Sequence, residues 1–141
     1  MVSEPMTTAY MTGLLYFLAV FTFAFAMGIA RQLVIAPQLG SSVAVLLEVP
    51  IVVAASWIVA RRLLRYRSLT VPERALMGAT AFTLTMASEA ALSVIMRGQS
   101  VADWAAAVAT PLGLVGLAAQ LVFAAIPIFV NHAQTDTAPT V

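Results

Sequence analysis

A chain of 141 residues that is 62% hydrophobic and 9% charged cannot clothe a water-soluble globule, because soluble domains carry about 25% charged residues. Cysteine is absent, which removes disulfides, Cys-ligated zinc and iron–sulfur clusters from consideration. The net charge of +1 matters less than its placement: all seven basic residues are arginines, and five of them fall between Arg61 and Arg74.

Four apolar runs, each close to the roughly 20 residues that cross a bilayer, predict a single all-α domain, an integral membrane bundle of four antiparallel helices. The first run covers residues 10–30 and is rich in Phe and Leu. Ala24-Phe25-Ala26 has the look of a signal-peptide cleavage site, but the run is longer than a usual h-region and is preceded by Glu4 rather than by a basic residue, so it reads as a span. The second run covers residues 42–60 and contains Glu48 and Pro50. A bend at Pro50 would fall beside that carboxylate. Thr70-Val71-Pro72-Glu73 reads as a capping box with proline in the first turn and opens the third run, residues 75–96, which contains Glu89. Gly98 is its stop. Ser100-Val101-Ala102-Asp103 is a second cap. The fourth run covers residues 105–130, with Gln120 as its most polar interior residue and Thr110-Pro111 as an alternative start. Residues 132–141 read as a polar, frayed tail, and the sole histidine, His132, falls there. The small residues Ala24 and Gly28, and Gly113, Gly116 and Ala119, are candidates for close helix contact, within one chain or between two. Trp57 and Trp104 suit the aromatic belts.

Orientation follows from the arginines. Arg61, Arg62, Arg65, Arg67 and Arg74 mark the second-to-third connection as cytoplasmic, where they would touch lipid headgroups. Both termini are then cytoplasmic as well, and Arg31 and Arg97 belong to the outer connections. The expected location is the cell inner membrane, multi-pass, with the lipid bilayer as the first partner and a homo-oligomer or a larger membrane complex as a further one. No nucleic-acid module accompanies the basic cluster, and no cofactor or metal motif is present.

Two acids inside apolar runs are the candidate site. A carboxylate in hydrocarbon costs roughly 2.5–3.5 kcal/mol on insertion scales, so it needs a partner, a proton or a purpose. Counting about 1.5 Å of rise per residue puts Glu48 roughly 9 Å and Glu89 roughly 10 Å below the outer boundary. Thr85, Glu89 and Ser93 follow at spacing four on one helix, and Glu48, Val52 and Ser56 on another, so each acid has polar neighbours along one stripe. Gln120 can approach the same level, and Arg31 and Arg97 can reach down from the rim. The expected site is therefore Glu48, Glu89, Arg31, Arg97, Gln120, Thr85 and Ser93. Three readings compete. In the first, the arginines and acids form pairs that only lock the bundle. In the second, the two carboxylates share a proton or hold a small cationic or amphiphilic ligand, for binding or transport. In the third, they act as acid and base on a lipophilic substrate. An accessory or structural subunit is the rival to a binding or transport protein, and catalysis is the weakest of the three because two acids are a weak signature.

Gly28-Ile29-Ala30-Arg31, Pro37-Gln38-Leu39-Gly40, Glu48-Val49-Pro50, Trp57 and Ala60-Arg61 together resemble a group of small four-span bacterial inner-membrane proteins of unassigned function. The resemblance covers the first half and extends loosely through Glu73-Arg74 and Glu89. It implies the topology and brings no activity. The chain does not resemble the small multidrug-resistance exporters, whose key acid lies in the first span, nor the fluoride channels.

Overall fold

The computed structural model describes residues 4–130; the tail and His132 lie outside the described residues. The order is α1 (Glu4–Ala30), a π-helical turn (Arg31–Ile35), α2 (Ala36–Leu39), α3 (Ser41–Arg65), α4 (Val71–Arg97), α5 (Val101–Val108) and α6 (Pro111–Phe129). Four segments are long and apolar enough to cross a membrane: Glu4–Leu39, Ser41–Arg65, Val71–Arg97 and Pro111–Phe129. The chain is an all-α bundle of four candidate spans, as the four runs predict.

The helix ends follow local chemistry. Both the N–H and the hydroxyl of Thr70 donate to Glu73 Oε2, at 2.6 and 2.8 Å, so the capping box opens α4. Gly98 closes α4 at φ 65, a left-handed conformation that costs glycine nothing. Ser100 and Asp103 form the second box at the start of α5.

Two boundaries differ from the sequence expectation. The first segment does not stop at Ala30 but continues to Leu39, because the next glycine is Gly40 (φ 82). Pro37 lies in this continuation, and the preceding turn relaxes to π geometry, with the Ala36 N–H on the Arg31 carbonyl. A proline ring crowds the carbonyl four residues earlier, and a wider turn relieves it. The fourth run is not one helix from 105 to 130. It breaks at Ala109–Thr110, where Thr110 caps α6 by accepting from Gly113 N–H and Pro111 occupies the first turn. A proline that cannot continue α5 can begin α6 at no cost.

The packing order is not the chain order. α1 packs on α3 and α4, and α6 packs on the same two, while α3 and α4 do not pack on each other. The short connection over residues 66–70 therefore links helices on opposite corners. Glycines set the closest approaches. A Cβ on Gly13 would lie 2.7 Å from the Met77 carbonyl oxygen, and one on Gly78 would lie 1.9 Å from that of Ala124. Gly28 and Gly116, expected to serve this way, face open space apart from Glu48 Oε1 at 3.9 Å from the Gly28 position.

The core is polarised along the bundle. Tyr16, Phe17, Val20, Ala60, Leu64, Leu69, Met77, Ala81, Phe123, Ile126 and Val130 form one buried cluster at the end that carries the arginines. In the other half, only Ala44 is buried in residues 41–55, only Ser93 in residues 86–97, and none in residues 21–39 or 111–122. One end of the bundle is tightly packed and the other is loose.

Tyr16 crosses the packed end from corner to corner. Its ring stacks on Phe123 with centroids 4.5 Å apart, and its hydroxyl donates to the Phe123 carbonyl at 2.9 Å. That carbonyl would ordinarily accept from the residue four positions on, which is Pro127. Proline has no N–H to give, and Tyr16 supplies the donor instead. The Ser56 hydroxyl lies beside that of Tyr16 and donates to the Val52 carbonyl at 2.7 Å.

Candidate functional site

Each glutamate sits in the loosely packed half, and each has its own partner. Glu48, on α3, forms an ion pair with Arg31 of the π turn, Nε to Oε2 at 2.5 Å. The π turn brings Arg31 to this point at the end of α1. The pair is partly accessible, with the two side chains 25% and 16% exposed, so it forms at the edge of the bundle and not in a dry core.

Glu89, on α4, accepts from Gln120 Nε2 on α6 at 2.6 Å. This is the α4–α6 interface whose close approach at Gly78 and Ala124 lies lower in the bundle. The Gln120 side chain presents both faces of its amide here. Its Nε2 is used by Glu89, while its Oε1 is buried and meets no donor among the described residues. Arg97 acts on Glu89 only through its field; its side chain is exposed, and among the described residues the only ion pair is Arg31–Glu48.

The other expected members are turned to local work. The Thr85 hydroxyl donates to the Ala81 carbonyl at 2.9 Å, and the Ser93 hydroxyl donates to Gln99 Oε1 at 2.5 Å. Both are buried beside the Glu89 stripe without bonding to it. The structure thus brings together Arg31 with Glu48, and Gln120 with Glu89. It does not join the two carboxylates, because α3 and α4 occupy opposite corners. Equal depth along a span says nothing about azimuth around the bundle, which is why the sequence suggested a pair.

The five clustered arginines, three in the last turns of α3 and two beyond it, divide in two. Arg67 Nη1 donates to the Thr12 hydroxyl, and Thr12 in turn donates to the Thr8 carbonyl at 2.6 Å. Arg74 donates from Nε to the Leu69 carbonyl at 2.9 Å and from Nη1 to the Val130 carbonyl at 2.8 Å. The last contact supplies a donor to a carbonyl just beyond the end of α6. Arg61, Arg62 and Arg65 remain exposed. Arg67 and Arg74, expected at lipid headgroups, are turned to the bundle instead, and Tyr16 is the structural residue that sequence reasoning passed over. The available signal was Pro127, whose position four residues after Phe123 announces an unfilled carbonyl.

At α5, outside the spans, both the hydroxyl and the N–H of Ser100 donate to Asp103 and hold its carboxyl below the usual carboxylate range. No cluster of three or more His, Cys, Asp or Glu able to hold a metal ion occurs among the described residues.

Fold and site together define a multi-pass membrane protein with, among the described residues, one charged pair at the edge of the bundle and one acid–amide pair between α4 and α6. No protein family, curated protein or solved structure matches the chain.

Proposed function

We propose that this is a small protein of the bacterial inner membrane, both termini cytoplasmic, that binds or transports a proton or a small cationic ligand at Glu89 and Gln120. The observation that carries the reading is the acid–amide pair. Glu89 is bonded to a neutral partner, and the same amide holds a buried acceptor that no donor meets among the described residues. A carboxylate oxygen and an amide oxygen side by side suit a species that brings N–H or O–H donors and positive charge. The loose packing around them supports access from the outer side, and the arginine distribution and the family resemblance support the membrane and the orientation.

Glu48 differs in kind. Its charge is already neutralised by Arg31, so it serves this reading as a clasp between the end of α1 and α3. The same clasp favours the second reading, an accessory subunit whose acids only hold the bundle.

Reconstituted protein in liposomes separates the two. A pH gradient with an entrapped pH dye reads proton flux, and ethidium uptake reads a cationic amphiphile. Glu89→Gln is expected to abolish the activity, and Glu48→Gln to retain most of it. Wild-type protein inactive towards both probes, or an activity untouched by Glu89→Gln, would remove the binding reading and leave the scaffold.

A further inference from the structure

The fold spends its five clustered arginines unequally, and the remainder has a shape. Arg67 and Arg74 are consumed inside the bundle. Arg61, Arg62 and Arg65 stay exposed and, with Trp57 and Ile58, line a shallow groove on α3. Trp57, Arg61 and Arg65 follow at spacing four, and so do Ile58 and Arg62, so two parallel rows run along one side of the helix. Each row is apolar towards the membrane and cationic towards its end. Among the described residues, no acidic side chain lines the groove. The guanidinium of Arg65 sits 5.8 Å from the centre of the Tyr66 ring, a cation–π contact that limits its wandering.

We propose that this groove seats one anionic lipid whose head carries two negative charges, either a phosphate monoester or two linked phosphodiesters, with an acyl chain along Trp57 and Ile58. Charge complementarity selects this occupant. Three guanidinium groups without an acidic partner among the described residues face the headgroup level, and arginine binds phosphate oxygens in pairs. A zwitterionic head would bring its own ammonium against them. The apolar rows above the arginines supply what a free anion does not need and a lipid does. A mere topology signal asks only for positive charge near the span end. Here the charge is aligned with an exposed indole. The site is independent of Glu89 and of what that residue binds.

Trp57 is its own probe once Trp104→Phe leaves it as the sole tryptophan. Quenching of Trp57 by brominated lipids is compared in mixed bilayers, with brominated phosphatidic acid or brominated cardiolipin against brominated phosphatidylcholine. The dianionic lipids should quench at several-fold lower mole fraction. Arg61→Gln alone should weaken that preference by about fivefold, the worth of one arginine at a charged surface. The combined Arg61→Gln, Arg62→Gln and Arg65→Gln variant should erase it, with helicity checked by circular dichroism; if that variant does not fold, the single variant decides. Equal quenching by all lipids overturns the proposal, as does a preference that survives removal of the arginines. Loss of the preference on adding millimolar inorganic phosphate at constant ionic strength would also overturn it, by showing a site for a free anion.

Discussion

The hydroxyl of Tyr16 replaces an amide that Pro127 cannot supply. A buried carbonyl left without a donor costs about 1–3 kcal/mol, so Tyr16→Phe is expected to destabilise the bundle by that amount while its ring still stacks on Phe123. The cause can be isolated. Pro127→Ala restores an N–H in register with the Phe123 carbonyl. In that background Tyr16→Phe should cost clearly less, and a double-mutant cycle in mixed-micelle unfolding measures the difference. Equal costs in both backgrounds would show that the hydroxyl does not answer the proline. The same logic of orphaned acceptors distinguishes the two glutamates. Glu48 has a cation, whereas Glu89 has an amide that itself still lacks a donor.

Among the elements, α4 is the one that packs against both α1 and α6 through glycine. At Gly78 a methyl group would meet the backbone of Ala124 at 1.9 Å, and backbone cannot swing aside. Gly78→Ala should therefore force α4 and α6 apart and cost about 1–3 kcal/mol. Gly116→Ala is the matched control. Nothing lies within 4 Å of its Cβ position, so it should be neutral or stabilising by up to about 1 kcal/mol, as alanine outperforms glycine inside a helix. Thermal unfolding of the two variants in one detergent compares them directly. The short helix α5 carries a pH dependence. Its Asp103 carboxyl is held below the usual range by the Ser100 hydroxyl and N–H. A depressed folded pKa means that the cap is fully present above the ordinary aspartate range and is lost as pH falls through the folded value. The protection of the Val101–Val108 amides against exchange, relative to their intrinsic rates, should fall on acidification, and Asp103→Ala should show low protection without that dependence.

Taken whole, the molecule is packed at its arginine end and loose where its acids lie. Its handedness in the membrane is testable with two cysteines. Ser68→Cys, in the connection between α3 and α4, should resist an impermeant maleimide in intact cells, and Gln99→Cys, between α4 and α5, should react. The reverse pattern would turn the bundle over and place the glutamate half on the cytoplasmic side. The corner-to-corner link between α3 and α4 also bears on function, because it separates two acids that a ring in chain order would have placed on neighbouring helices.

Much of this was legible in the chain. Length and hydropathy determined four spans, since hydrocarbon leaves the backbone no option but helix. The boxes Thr70–Glu73 and Ser100–Asp103 and the stop at Gly98 are local chemistry and formed where their residues stand. Thr110-Pro111 offered an alternative start, and the structure took it, closing α5 before it and opening α6 at Pro111. Tertiary structure alone decided which helices became neighbours, because apolar stripes that face lipid and protein alike carry little azimuthal information. It also decided that close contact runs through Gly13, Gly78 and the expected Gly113 rather than Gly28 and Gly116, that Arg67 and Arg74 turn inward while Arg61, Arg62 and Arg65 do not, and that Glu48 and Glu89 part company. Depth along a helix can be counted in residues. Direction around a bundle depends on residues far apart in sequence meeting in space, and only the packed chain supplies it.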